Sequence, residues 1–215
     1  METYNIRKIT FPQINTLMLD IPEDIFKKLN EDADIKNFQD ATNYGSSLVG
    51  HINHQYLFEN STYLTDFILD ISKLYYPTLI SSGYVQQIHT RNSQLKCGIP
   101  WINFQAPTEY NPLHNHSGLM SWVIWLKIPF EREKEQEIFP NSRYGRVVNG
   151  SFQFAYSSAK GVELYNIDLD KSYEGKMLMF PSAMHHQVYP FYSTDEYRIS
   201  LSGNVYVDID PNNKE

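Results

Sequence analysis

The chain carries a single cysteine, Cys97, in 215 residues. One thiol cannot close an intramolecular disulfide, so a reducing, cytoplasmic setting is expected. Its surroundings, "QLKCGIPW", read as strand, and a small apolar packing role suits Cys97 better than a nucleophile, which would need an activating partner. Excess positive charge is also missing. The net charge is −7 and the pI near 5.5, so there is no broad electrostatic footprint for DNA or RNA, and nucleic-acid binding is not expected. No apolar run is long enough to span a bilayer, and the opening "METYNIRKITFPQINTLML" lacks the apolar core of a secretion signal. A soluble chain with no membrane partner is the expectation.

What is present fits a folded globular protein. Hydrophobic residues make up 41% and charged residues 20%. The 16 tyrosines and 12 phenylalanines favour strands, because aromatics fit a pleated, half-buried surface. No internal repeat or domain boundary is visible, so residues 1–215 are expected to form one domain.

Residues 5–19 alternate loosely and read as an opening strand broken at Pro12. In "DIPEDIFKKLNEDAD", Pro22 at a first helical position, acidic residues behind it, and Ile25 and Leu29 on one face predict a short helix. Residues 40–60 are polar and turn-rich, a loop with at most one short strand. "STYLTDFILDISKLYYPTLISSG" has the best helical period: Leu64, Phe67, Ile68, Ile71, Leu74 and Tyr75 form a stripe, capped by Ser61 or Thr62. From residue 94 on, short runs bounded by Pro, Gly, Asn, Asp or Ser replace the helical signal. Helices first and strands afterwards predict an α+β layout, with helices backing a mostly antiparallel sheet and the strands closing into a sandwich or jelly roll. Residues 131–137, "EREKEQE", read as a solvated loop, with a flap over a site as the alternative.

"NPLHNHSGLM" sets His114 and His116 two apart, and along a strand such residues project from one face, where two imidazoles can grip one metal ion. A bare His-x-His is more often a pair of polar surface histidines in a turn. A second cluster, "FPSAMHHQVYP", adds His185 and His186, which face opposite ways on a strand. His186 shares its side with Val188 and Pro190, so His186 is placed inside. In "EYRISLSGNV", Ile199 and Leu201 alternate with Arg198, Ser200 and Ser202, which turns the arginine and the serines to the interior. A buried arginine without a partner is very costly, so a bound carboxylate is expected there unless an Asp or Glu supplies one; the arginine fork with a serine hydroxyl suits a dicarboxylic acid.

Together these elements resemble the 2-oxoglutarate- and Fe(II)-dependent oxygenases, in the branch near the prolyl 4-hydroxylases. The likeness rests on Trp101 and Asn103, His114 and His116, Ser121, "FPS" at 180–182, His186 with Val188, Arg198 with Ser200, and Asn204, over roughly residues 95–207. The resemblance implies a double-stranded β-helix (jelly roll, cupin-like) over roughly 95–207, with helical support from roughly 20–85 on one sheet. It implies Fe(II) held by His114, His116 and His186, with 2-oxoglutarate as cosubstrate bound by Arg198 and Ser200 and flanked by Asn103 and Asn204. It also implies hydroxylation by O2 of an unidentified substrate, a protein side chain such as proline or a small molecule, with release of succinate and CO2. The oligomeric state stays open, a homodimer included. Trp122, Trp125 and Phe130 could wall the cavity, although core packing suits aromatics on an apolar strand better.

One position departs from the family. His116 stands where a carboxylate is usual in the facial triad, and no Asp or Glu lies within three residues of His114. Either three neutral imidazoles bind the metal, or His116 swings aside for water, or Glu109 reaches back. Two other readings compete with the oxygenase: a cupin-type three-histidine dioxygenase that uses no 2-oxoglutarate, and a non-enzymatic jelly-roll binding module.

Overall fold

The computed structural model describes residues 15–59, 61–81, 94–140 and 147–208. The first part of the expected opening strand and the end of the expected helical support, residues 82–85, lie outside them. Helix α1 (Glu23–Asp32) begins directly after Pro22, whose fixed φ ends the incoming chain, and Glu23 and Asp24 complement the positive end of the helix. Helix α2 (Thr62–Ser81) buries Leu64, Ile68, Tyr75 and Leu79. Leu74, expected in that stripe, is 74% exposed, because at 3.6 residues per turn it stands roughly a quarter turn from Tyr75.

Two antiparallel sheets follow. Strands β1 (Leu17–Asp20), β2 (His54–Leu57), β3 (Gln94–Cys97), β4 (Trp101–Gln105), β6 (Met120–Lys127), β9 (Lys176–Pro181) and β11 (Arg198–Asp208) form the seven-stranded sheet, in the order β1-β9-β6-β11-β4-β2 with β3 added on β11. Strands β5 (Asn111–His114), β7 (Phe152–Ser158), β8 (Gly161–Ile167) and β10 (His185–Val188) form the smaller sheet, in the order β5-β10-β7-β8. Cys97 is half-buried on β3, opposite Val205.

The two-residue period of the strands of the larger sheet splits the core into two layers. Ile102, Phe104, Met120, Trp122, Ile124, Met177, Met179 and Leu201 face α1 and α2. Val123, Trp125, Leu178 and Phe180 face the other way, onto Phe152 and Phe154 of the smaller sheet. The same alternation carries Asn103, Gln105, Arg198, Ser200 and Ser202 into the space between the sheets. Gly203 sits opposite Trp122 on the helix side, and a Cβ there would lie 2.6 Å from the indole Cζ2. Gly203→Ala is expected to cost about 1–3 kcal/mol by overpacking. A urea-melt midpoint equal to wild type would mean that the sheet opens freely to admit the methyl.

The charged segment 131–137 is not a solvated loop: Arg132–Glu137 form a short helix, α3, with Glu135 fully buried. Two of its charges find fixed partners, which is why it folds inward. The Glu135 carboxylate accepts hydrogen bonds from the backbone N–H groups of Tyr192 (3.0 Å) and Ser193 (2.7 Å). The Arg132 guanidinium donates to the carbonyls of Val147 and Asn149 and to Asp168. Glu135→Ala leaves two part-buried amides without their acceptor, and a stability loss of about 2–6 kcal/mol is expected from about 1–3 kcal/mol each, towards the lower end because water reaches them. Thermal denaturation reads this directly. Among the described residues, no helix is long and apolar enough to cross a membrane.

Candidate metal centre and its cavity

Strand pairing brings the two histidine clusters together. In the β5–β10 ladder His114 and His186 are direct partners, and a register irregularity follows at Val188. His116 lies two residues beyond β5, where its backbone N–H donates to the Ser182 carbonyl (2.9 Å) in the "FPS" turn. The ring centroids of His114 and His186 are 4.3 Å apart, those of His114 and His116 4.9 Å, and those of His116 and His186 5.1 Å. One nitrogen from each ring falls within 4.8 Å of the others. His186 is 3% exposed, stacked on Phe152 and edged by Phe180, whereas His185 is exposed.

The rings are presented as neutral donors. The His114 Nδ1 contacts the Pro112 carbonyl (2.6 Å) and the His186 Nδ1 the Met184 carbonyl (3.0 Å). A carbonyl only accepts, so in both rings Nδ1 carries the hydrogen and Nε2 keeps a free lone pair. Burial, reinforced by the neighbouring imidazoles, lowers the pKa of all three, His116 to about 4 and His186 well below its ordinary value. At neutral pH the cluster offers three uncharged nitrogens, a donor set suited to a divalent transition metal such as Fe(II).

Arg198 lines the same cavity, 2% exposed. Its partners are not those the sequence suggests. Nε and Nη2 donate to the Gln105 Oε1 (3.1 and 2.6 Å), Nη2 also to the Tyr189 carbonyl (3.1 Å), and Nη1 to the Gly150 carbonyl (2.6 Å). No Asp or Glu side chain touches it among the described residues, and amide and carbonyl oxygens of the protein take up most of its donors. The full fork is therefore not free: four N–H groups are bound and one on Nη1 remains. Phe130 and Phe191 flank the guanidinium at 5.8 and 5.7 Å. Burial pushes its pKa down to about 9, against the opposing field of Glu135, so it is still charged at neutral pH.

Ser200 and Asn103 border the cavity beside Arg198, and the Asn103 Nδ2 donates to the Ser200 Oγ (3.3 Å). Asn204 does not line the cavity; its Oδ1 accepts from the Ser121 hydroxyl (2.7 Å). Trp125 borders the cavity from the inter-sheet core, Trp122 packs chiefly on the helix side, and Phe130 lies under Arg198. Glu109 does not reach back to the histidines: its carboxylate accepts from the Asn53 backbone N–H (3.0 Å), the Asn53 amide (2.6 Å) and the Ala106 N–H (2.8 Å).

Gln105, Gln55 and Asn111 are polar residues of the cavity that escape the sequence reading. Gln105 shares the inward phase of Trp101 and Asn103 in "WINFQ", so alternation could have found it. Gln55, 1% exposed and donating to the Asn103 Oδ1 (2.8 Å), sits on an edge strand in a polar stretch with no such signal.

The family described as "Putative 2OG-Fe(II) oxygenase" matches residues 100–213, more than half of the chain. Among solved structures, a Pseudomonas putida prolyl-4-hydroxylase aligns at 11% identity over 92% of this chain and 94% of its own, with a TM-score of 0.53. An oxidoreductase of the 2OG-Fe(II) oxygenase family from Burkholderia pseudomallei aligns at 14% identity over 89% and 84%, with a TM-score of 0.45. At such identities the likeness to the first is one of fold. No curated protein matches the sequence.

Proposed function

Since the chain belongs to the 2OG-Fe(II) oxygenase family, whose members are enzymes that use Fe(II) and 2-oxoglutarate, we propose that His114, His116 and His186 hold the iron and that Arg198 takes the distal carboxylate of 2-oxoglutarate. Residues 1–215 then act as one domain, with the paired sheets read as a double-stranded β-helix and the helices as its outer support. The observation that carries this reading is three converging imidazole nitrogens in a cavity shared with a buried guanidinium.

When bound, Fe(II) with 2-oxoglutarate and O2 supplies an oxidation in which the cosubstrate becomes succinate and CO2 and the substrate is hydroxylated. The chain's own part is positioning. The carbonyls of Pro112 and Met184 hold the His114 and His186 rings with Nε2 free. The remaining Nη1 N–H of Arg198 and the Ser200 hydroxyl, whose oxygen already accepts from Asn103, fix the far end of the dicarboxylate, and Asn103 supports them from β4. Asn204 contributes through Ser121 rather than by contact. Trp125, Phe152 and Phe180 keep the iron side of the cavity dry. The primary substrate is a protein side chain such as proline, or a small molecule.

Anaerobic titration with Fe(II) and 2-oxoglutarate is expected to give a visible metal-to-ligand absorption band only when both are present, and oxygenation to release succinate. A cupin-type site that binds iron alone gives no such band, and a binding module takes up neither component; either result removes the proposal.

A further inference from the structure

The departure at His116 has a consequence in electrostatics, and it rests on the assignment of the metal and cosubstrate above. Among the described residues lining the cavity there is no Asp or Glu. The nearby carboxylates are committed elsewhere: Glu109 to Asn53 and Ala106, and Glu135 to the amides of Tyr192 and Ser193. The ligand set is three neutral imidazoles, and the one fixed charge in the lining is the cation of Arg198. A divalent metal placed there keeps its full charge, with no carboxylate in the lining to offset it, and faces the cation of Arg198, which only the field of Glu135 from outside the lining partly balances. The distal carboxylate of 2-oxoglutarate, taken alone, meets the Ser200 hydroxyl and an arginine whose donors are largely spent. The dianion and the metal together neutralise what each leaves exposed.

We infer that His116, by supplying an imidazole in place of an anion, sets how strongly the divalent metal and 2-oxoglutarate depend on each other at this site. Coupling of this kind is reciprocal: whatever factor the dianion adds to metal affinity, the metal adds to dianion affinity. The His116 ring lies against the rings of Trp101, His114 and His186, within reach of the other two nitrogens of the cluster.

The test uses the full chain and Mn(II), with free Mn(II) read by electron paramagnetic resonance and the cosubstrate by calorimetry, so that turnover is not the readout. Saturating 2-oxoglutarate is expected to tighten Mn(II) binding by about 10- to 100-fold, within the usual range of coupling between two sites. 2-Oxobutyrate, a monoanion without the distal carboxylate, is expected to give a smaller factor. His116→Asp should bind Mn(II) more tightly in the absence of 2-oxoglutarate and reduce the coupling several-fold, while the neutral isostere His116→Asn should keep it. A factor close to one in the wild type, with both components bound and with succinate released in the separate Fe(II) assay, overturns this inference and leaves the functional assignment standing. Equal coupling in the Asp and Asn variants overturns the role of charge at position 116. Failure of Mn(II) and 2-oxoglutarate to bind even together overturns both.

Discussion

His186→Ala is expected to abolish metal-dependent succinate release, by about a thousandfold or more. Loss of a mere supporting partner to a ligand costs about 10–100-fold, and here an entire donor goes. The two remaining rings come from one short segment, so the metal loses its only tie to β10. The His186 ring also fills space against Phe152, Phe180 and His114, and its removal should cost about 1–3 kcal/mol in the metal-free protein. Mn(II) binding and thermal denaturation on one preparation separate the two effects. His185→Ala, at an exposed position, is the matched control and should leave both readings as in the wild type. Full turnover in the His186 variant would remove the ligand assignment.

Arg198→Ala should raise the 2-oxoglutarate requirement by about 10- to 100-fold, the worth of one charge-assisted hydrogen bond of about 1.5–3 kcal/mol. It should also destabilise the protein by about 3–5 kcal/mol, as when one partner of a buried charge is removed. The cause is specific: the Gln105 Oε1 and the carbonyls of Gly150 and Tyr189 are left facing a void without donors. In a chain of this size about 2–4 °C of melting temperature accompanies each kcal/mol, so the two consequences are measurable apart. Arg198→Lys keeps the charge and loses the planar fork, so it should recover part of the cosubstrate affinity and little of the stability. A 2-oxoglutarate affinity unchanged in the alanine variant would show that the guanidinium serves only the fold.

Much of this arrangement is legible along the chain because strands write their geometry into sequence with a period of two. Ile199 and Leu201 against Arg198 and Ser200 already separate the two faces of β11, and Val188 and Pro190 mark the side on which His186 lies. Where that period is absent, legibility ends. "EREKEQE" is nearly all charge, and nothing in it distinguishes Glu135, which is buried, from Glu133, which is exposed, because burial there depends on two amides some 60 residues away. Gln55 is equally silent, since its partner Asn103 belongs to another strand. The fork of Arg198 misleads for a related reason: the sequence shows which way a cation points but not which oxygens have reached it first.

Alone, the amino-acid order determined the inward phase of β10 and β11, the two-apart histidines and the missing carboxylate at position 116, all of them local consequences of backbone geometry and residue type. The tertiary structure decided what stands across from what: His186 beside His114, Gln105 under Arg198, Glu109 drawn off to Asn53. The reason is physical. Periodicity specifies a direction, whereas hydrogen bonding and charge neutralisation need a partner within about 3 Å, and that partner is supplied only when distant strands pair in register.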